Sequence, residues 1–349
     1  MPGEARNILR VACIYATSVI GAGFASGHEI MQFFSVYNTG GFFGIILAGI
    51  LFSTVGGIML GKVYSDRIRN YEEFIFPVFG WRLGWAVEIS VTVFMLFIFC
   101  IMMAGSGRVI SDMLKIQFKY ASLLTGIICM VIILANIRGL AVLSTVITPV
   151  LILGIILAGI YIIFFRDTET FVISGYLDRL TRNWFASSLL YVSYNSIPAF
   201  IIICSLLPYL KTRRTAVLGG ILGGALLSIA TLVIHIVIRL FMPGAMENEL
   251  PILEILRKFS GPASRLYAFV LWAAMLVSAV TSGLCFVGRV EAMLKMDRRI
   301  VTLMLCAVAM PLSTIGFSKL VSSVYPVFGY IGLFMVIAVL IQGMLKRRG

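Results

Sequence analysis

Long apolar runs recur along this chain at the length of a bilayer. A hydrocarbon core about 30 Å thick takes roughly 20 residues of helix. Ten segments meet that requirement, near 9–35, 40–62, 83–110, 120–137, 141–165, 184–208, 215–241, 264–288, 299–315 and 320–345. In lipid, backbone N–H and C=O groups must be satisfied within a helix or a closed barrel. Barrel strands read as segments of about ten residues in dyad alternation, whereas these runs are longer and uniformly apolar. The expected class is therefore an all-α integral membrane protein with ten transmembrane helices. Composition agrees: of 349 residues 60% are apolar and 12% charged, against about 25% charged in soluble domains.

The formal charge of +13 is not the footprint of a nucleic-acid binder, because the basic residues flank the apolar runs, as membrane orientation requires. With both termini cytoplasmic in a plasma-membrane protein, 17 of the 28 lysines and arginines fall on the inner side. The apolar run after Arg10 is too long for the core of a cleaved signal peptide. Cys13, Cys100, Cys129, Cys204, Cys285 and Cys306 all lie in predicted spans, where they read as core residues and offer no pair to an oxidising loop.

The chain is laid out twice. A glycine-rich interruption occupies 21–27 of the first span, and Ser193, Tyr194, Asn195, Ser196, Ile197 and Pro198 interrupt the sixth. A short connector helix is expected after the second span, with Asn70 as its cap and Glu73 three residues on. Another is expected after the seventh, over 252–259, with Ile252, Ile255, Leu256 and Phe259 on one face. Five spans per half make the halves inverted, 9–165 against 184–345, within one transporter domain covering 1–349. Paired halves with interrupted helices at matching positions point to a secondary transporter.

Irregular backbone at membrane depth is tolerated where it lines a cavity or is buried. Gly21, Gly23 and Gly27 permit unwinding, and a half-helix beginning near Phe24 presents free N–H groups that suit a carboxylate. The half-helix that ends near Ile20 leaves carbonyls that suit a cation or an ammonium group. An amino acid satisfies both ends, which makes Gly21, Ala22, Gly23, Phe24 and Ala25 candidate substrate contacts. Gly23 and Gly27 also form a small-xxx-small packing seam. In the sixth span Pro198 removes a donor; Tyr191, Ser193, Tyr194, Asn195 and Ser196 before it either contact substrate or satisfy backbone groups freed by the kink. On the eighth span Ser278, Thr281 and Ser282 share a face at i, i+3 and i+4, a set of oxygens fit for sodium.

These features resemble the LeuT-fold transporters of the amino acid, polyamine and organocation superfamily, and the stretch IGAGFASGHE resembles that of the YkvI-type bacterial membrane proteins. The resemblance covers the whole chain as layout and the first span as motif. It implies two inverted five-helix repeats with broken helices 1 and 6. It also implies a sodium site joining the carbonyls of Thr17 and Ile20 to Ser278, Thr281 and Ser282. Some proton-coupled relatives place a lysine in the fifth span, and 141–165 contains no charged residue. The sixth-span YNSIP departs from the glycine that many amino acid transporters carry there.

Ionisable residues within spans are functional candidates. Glu29, outward of Gly23, is expected to gate the pocket or take up a proton, with His235 and Arg239 answering it across the outer vestibule. Arg108 and Asp112 are expected to pair, Glu88 to pair with an inner arginine such as Arg82, and His28 to be a satisfied interface residue. No HExxH or GxSxG constellation is present, so an enzyme is not expected. The expected function is sodium-coupled transport of a small zwitterion, an amino acid, by alternating access in the lipid bilayer, with no cofactor beyond Na+. Proton coupling through Glu29 and a non-transporting receptor subunit are the alternatives.

Overall fold

The computed structural model describes residues 2–135, 150, 153–157, 159–161, 183–241 and 248–345. Every regular element among them is helical. In chain order these are α1 (Pro2–Val19), α2 (Ala22–Ser26), α3 (His28–Phe33), a 3-10 turn (Ser35–Tyr37), α4 (Thr39–Asp66), α5 (Tyr71–Leu114) and α6 (Phe118–Leu134). Beyond them follow α7 (Trp184–Cys204), a 3-10 turn (Leu207–Tyr209), α8 (Arg213–Leu240), α9 (Pro251–Phe259), α10 (Gly261–Leu294), α11 (Arg298–Ser313) and α12 (Phe317–Leu345). Six of these helices are long and apolar enough to cross a membrane, and α6 is a shorter apolar helix. The protein is a multi-pass membrane protein. The fifth predicted span, 141–165, lies mostly outside the described residues.

The helices pack as two groups. In one, α1, α4, α7 and α8 lie against each other; in the other, α5, α6, α10 and α11 do so. Association in lipid depends on close packing and on small residues that let backbones approach. In the first group, a Cβ on Gly220 would lie 2.3 Å from the Gly56 carbonyl carbon, and one on Gly224 would lie 2.3 Å from the Ser53 nitrogen. The two helices therefore meet backbone to backbone. Gly219 and Gly223 seat the side chains of Val11 and Tyr15 from α1 in the same way.

The first span is interrupted as expected, and twice. The N–H of Gly21 turns to the Val19 carbonyl at 2.9 Å, which takes the ladder's next donor away from Thr17. Gly21 itself is extended (φ −96°, ψ −175°) and starts α2. Gly27, at φ +83°, then ends α2 in the left-handed region that favours glycine. The interruption expected in the sixth span is absent: α7 runs helically through Pro198. Pro198 withholds one donor, but neighbouring turns carry the ladder on. Ser193 Oγ donates to the Leu189 carbonyl at 2.6 Å, Asn195 Nδ2 to Tyr191 at 3.0 Å and Ser196 Oγ to Val192 at 2.7 Å. Within YNSIP, the Asn195 and Ser196 side chains serve their own helix backbone.

Both connectors are present. The first, beginning at Tyr71, is set off from the rest of α5 by Gly80 (φ +70°). Asn70 makes no side-chain cap there; instead the Glu73 carboxyl accepts from the Arg69 N–H at 2.8 Å. The second is α9, with Ile252, Ile255 and Leu256 buried and Arg257 and Lys258 exposed. Arg108 pairs with Asp112 as expected, 3.8 Å apart. The same cluster fastens α9 to the end of α5, through Arg257–Asp112 at 3.5 Å and Arg108–Glu249 at 3.8 Å. Glu88 pairs with Arg289 of α10 and not with Arg82; the partner lies 201 positions away, beyond the reach of a local reading.

Candidate functional site

A cavity of about 570 Å³ opens beside the break between α1 and α2. Its walls come from both helix groups. From the first come Thr17, Ser18, Ile20 and Gly21 on either side of the break, with Tyr194, Asn195 and Pro198 of α7. From the second come Phe94, Met95 and Met102 of α5, with Ser278, Thr281 and Ser282 of α10. Glu29 and Tyr325 complete it.

The cavity has a direction. It extends to Ser205, Leu206 and Tyr209, and these lie on the side that carries the N terminus. Arg10 stacks over the Tyr209 ring at 4.2 Å, and Glu4 accepts a hydrogen bond from Thr212 at 3.0 Å. The opposite side is plugged by rings: Phe33 lies 5.4 Å from Tyr194 and 5.5 Å from Tyr191, and Phe34 lies 4.8 Å from Tyr191. Ser187 Oγ holds the Phe33 carbonyl at 2.7 Å, and Tyr267 Oη holds that of Ala25 at 2.6 Å. Ile252 of α9 packs against Gly27. The conformation is open to one side only.

Glu29 is the chemical centre. It is 4% exposed, and its carboxyl accepts from Tyr194 Oη at 2.8 Å. The Tyr325 phenol engages the same carboxyl, and its ring stacks on Tyr194 with centroids 4.3 Å apart. Glu29 was expected outward of the pocket. The left-handed turn at Gly27 redirects α3, and the side chain reaches back over Gly23, so that Glu29 lines the cavity. His235 and Arg239 were expected to answer it and do not. His235 Nδ1 lies 3.0 Å from Ser35 Oγ, and Arg239 donates to Asn38 Oδ1 at 2.5 Å. Both are engaged in holding the 35–38 turn in place.

The other candidates separate cleanly. Thr17, Ile20, Gly21, Tyr194, Asn195, Ser278, Thr281 and Ser282 share the cavity wall. Gly23, Phe24, Ala25, Tyr191, Ser193 and Ser196 are buried and are not part of that wall; Ala22 stands between Gly21 and Gly23 at the start of α2. Thr281 and Ser282 each donate to their own helix, to the Val277 and Ser278 carbonyls at 2.8 Å, which leaves their oxygen lone pairs as acceptors. Missed by sequence reasoning were Tyr325, Phe94, Met95 and Met102, apolar or aromatic residues in uniformly apolar spans that carry no local signal. His28 is buried against Phe317 with its Nδ1 unpartnered, so it is an interface residue only partly satisfied. Among the described residues no group of three or more His, Cys, Asp or Glu side chains is placed to hold a metal.

No protein-family model matches the chain. It is 23% identical to the uncharacterized membrane protein YkvI of Bacillus subtilis (strain 168), over 97% of both chains. It is 25% identical to the protein YyaD of the same organism, over 95% of both. Among solved structures, the inward facing conformation of Mhp1 has a TM-score of 0.65 at 12% identity, covering 95% of this chain and 75% of that one. A Na+-coupled sialic acid symporter in a substrate-bound outward-open state has a TM-score of 0.60 at 14% identity, covering 97% and 78%. A manganese transporter of Eremococcus coleocola reaches 0.62 at 15%, covering 96% and 78%. These neighbours share the LeuT fold, and the likeness establishes that fold here.

Proposed function

We propose that this protein is an ion-coupled secondary transporter that moves a small amino-bearing solute, of amino-acid size, across the membrane by rocking one helix group against the other. The observation that carries the proposal is the cavity itself: it lies between the two groups, beside an interrupted helix, and it opens to one side while rings close the other. A site reached alternately from each side needs that asymmetry. Two inverted five-helix halves, 9–165 and 184–345, supply a frame for the rocking.

We further propose Na+ as the coupling ion, held between the Thr17 and Ile20 carbonyls and the hydroxyls of Ser278, Thr281 and Ser282. Those residues all line the one cavity, and carbonyls freed by a helix break are hard oxygen donors. The solute's amino group is assigned to Glu29 and the break; an amino acid is the zwitterionic member of that class. The protein acts without catalysis and needs no organic cofactor.

Proton coupling through Glu29 is a second reading, favoured by the carboxyl's position inside the cavity. Counterflow in proteoliposomes tests transport, and its absence for any bound solute supports a receptor instead. Uptake driven equally well with and without a sodium gradient removes Na+ as the coupling ion. A pH-gradient drive lost in Glu29→Gln establishes the second reading.

A further inference from the structure

We infer that the transported solute carries a positive charge and no carboxylate of its own: an amine with an apolar or aromatic body. The inference rests on the transporter reading above and narrows it. The place where an interrupted first span would take a ligand carboxylate is the open space over its glycines, and here the protein has already filled that space. A Cβ on Gly23 would lie 2.0 Å from Glu29 Oε1 and 2.9 Å from its Cδ. The chain's own carboxyl rests on the α-carbon of Gly23, seated by the turn at Gly27 and fixed by Tyr194. Gly23 lies within α2, so its missing side chain makes room for Glu29.

Among the described residues, no side chain of the cavity wall gives this carboxylate a counter-charge. Glu29 is the one acidic residue of the cavity wall, and no Lys, Arg or His lines it among the described residues. A ligand bringing a second carboxylate would set like charges together in a poorly screened space, which is disfavoured. An ammonium group instead supplies the missing charge and the donors that a carboxylate accepts. Tyr194, Tyr325 and Phe94 line the cavity and give it an aromatic wall suited to a cation and to the body attached to it. Met95, Met102 and Ile98 supply an apolar wall. A cavity of about 570 Å³ is within the range of small-molecule sites.

Matched ligand pairs that differ only in the carboxylate test this in the intact purified chain. Thermal-shift titrations compare tyramine with tyrosine, phenethylamine with phenylalanine and cadaverine with lysine, each with and without Na+, and MnCl2 alone as a further arm. The expected result is that in at least one pair the amine binds about tenfold or more tightly than its amino acid. Glu29→Gln, which keeps the shape and removes the charge, is expected to abolish that amine's shift. Gly23→Ala, which keeps the charge and displaces the carboxyl, is expected to weaken it. An amino acid that binds as tightly as its amine overturns the inference. So does the absence of a shift with every amine, a response to Mn2+ alone, or full amine affinity in a folded Glu29→Gln. Counterflow separates this from the transporter reading. An amine that binds without counterflow removes transport and leaves the charge assignment standing; counterflow that prefers the amino acid does the reverse.

Discussion

The Tyr194 hydroxyl donates a 2.8 Å hydrogen bond to the Glu29 carboxyl across 165 positions of sequence. It ties the far fragment of the interrupted first span to the middle of α7, at the closed end of the cavity. A hydrogen bond to a charged group contributes about 1.5–3 kcal/mol. Tyr194→Phe removes it while keeping the ring that stacks on Tyr325. Solute affinity is expected to fall about tenfold, measured by thermal-shift titration of the ligand that binds the parent protein. Unchanged affinity would show that Tyr194 has no part in setting the carboxyl.

Glu88 and Arg289 form a largely buried ion pair between α5 and α10, with side chains 9% and 15% exposed. Arg289 also stacks over Tyr71 at 4.9 Å, and Glu88 Oε2 has no partner. Breaking such a pair from one side leaves an uncompensated charge and costs about 3–5 kcal/mol, whereas replacing both partners with apolar residues is far better tolerated. Arg289→Met alone is expected to lower the melting temperature clearly, and Glu88→Leu with Arg289→Met to restore most of it. A double variant as unstable as the single one would contradict the assignment.

Contact between α4 and α8 depends on individual glycines and not on glycine in general. The space over Gly220 is occupied by the backbone of Gly56 and Gly57, so Gly220→Ala must move a helix; overpacking of that kind costs about 1–3 kcal/mol. Gly57 has its nearest neighbours at 3.5 Å, an ordinary contact, and Gly57→Ala is expected to be close to neutral. Denaturation monitored by tryptophan fluorescence in detergent checks both, and equal losses would mean that the close approach does not govern stability.

For sodium, Thr281→Ala and Ser282→Ala each remove one oxygen from the proposed shell. Each is expected to raise the sodium concentration for half-maximal uptake by about tenfold, or ~1.4 kcal/mol, while Thr281→Ser stays near the parent. Sodium dependence that survives both alanines would place the ion elsewhere.

Hydropathy alone located the six long apolar helices found among the described residues, because a bilayer admits few ways to satisfy a backbone. The break at Gly21 and the kink at Gly27 were legible for a related reason: three glycines in seven residues weaken a helix wherever they occur. The i, i+3, i+4 face of Ser278, Thr281 and Ser282 follows from helical periodicity, and so does the amphipathic α9. The proline at 198 gave a signal of the same local kind, and it misled. A buried helix is held by its neighbours as well as by its own ladder, and α7, packed among α1, α4 and α12, stays helical despite the missing donor.

What the sequence by itself determined is an all-helical membrane protein with a weakened first span and a polar helix face ready to meet it. Tertiary structure alone decided what fills the gap. Glu29 reads in sequence as a residue beyond the pocket, and one left-handed residue at Gly27 turns its carboxyl back over Gly23 and onto Tyr194. Arg289 in place of Arg82 beside Glu88, and Ser35 and Asn38 in place of Glu29 beside His235 and Arg239, are choices of the same kind. A local pattern sets which backbone groups are free, because that depends on neighbours a few residues away. Which side chain reaches them depends on how helices distant in sequence are brought together in lipid.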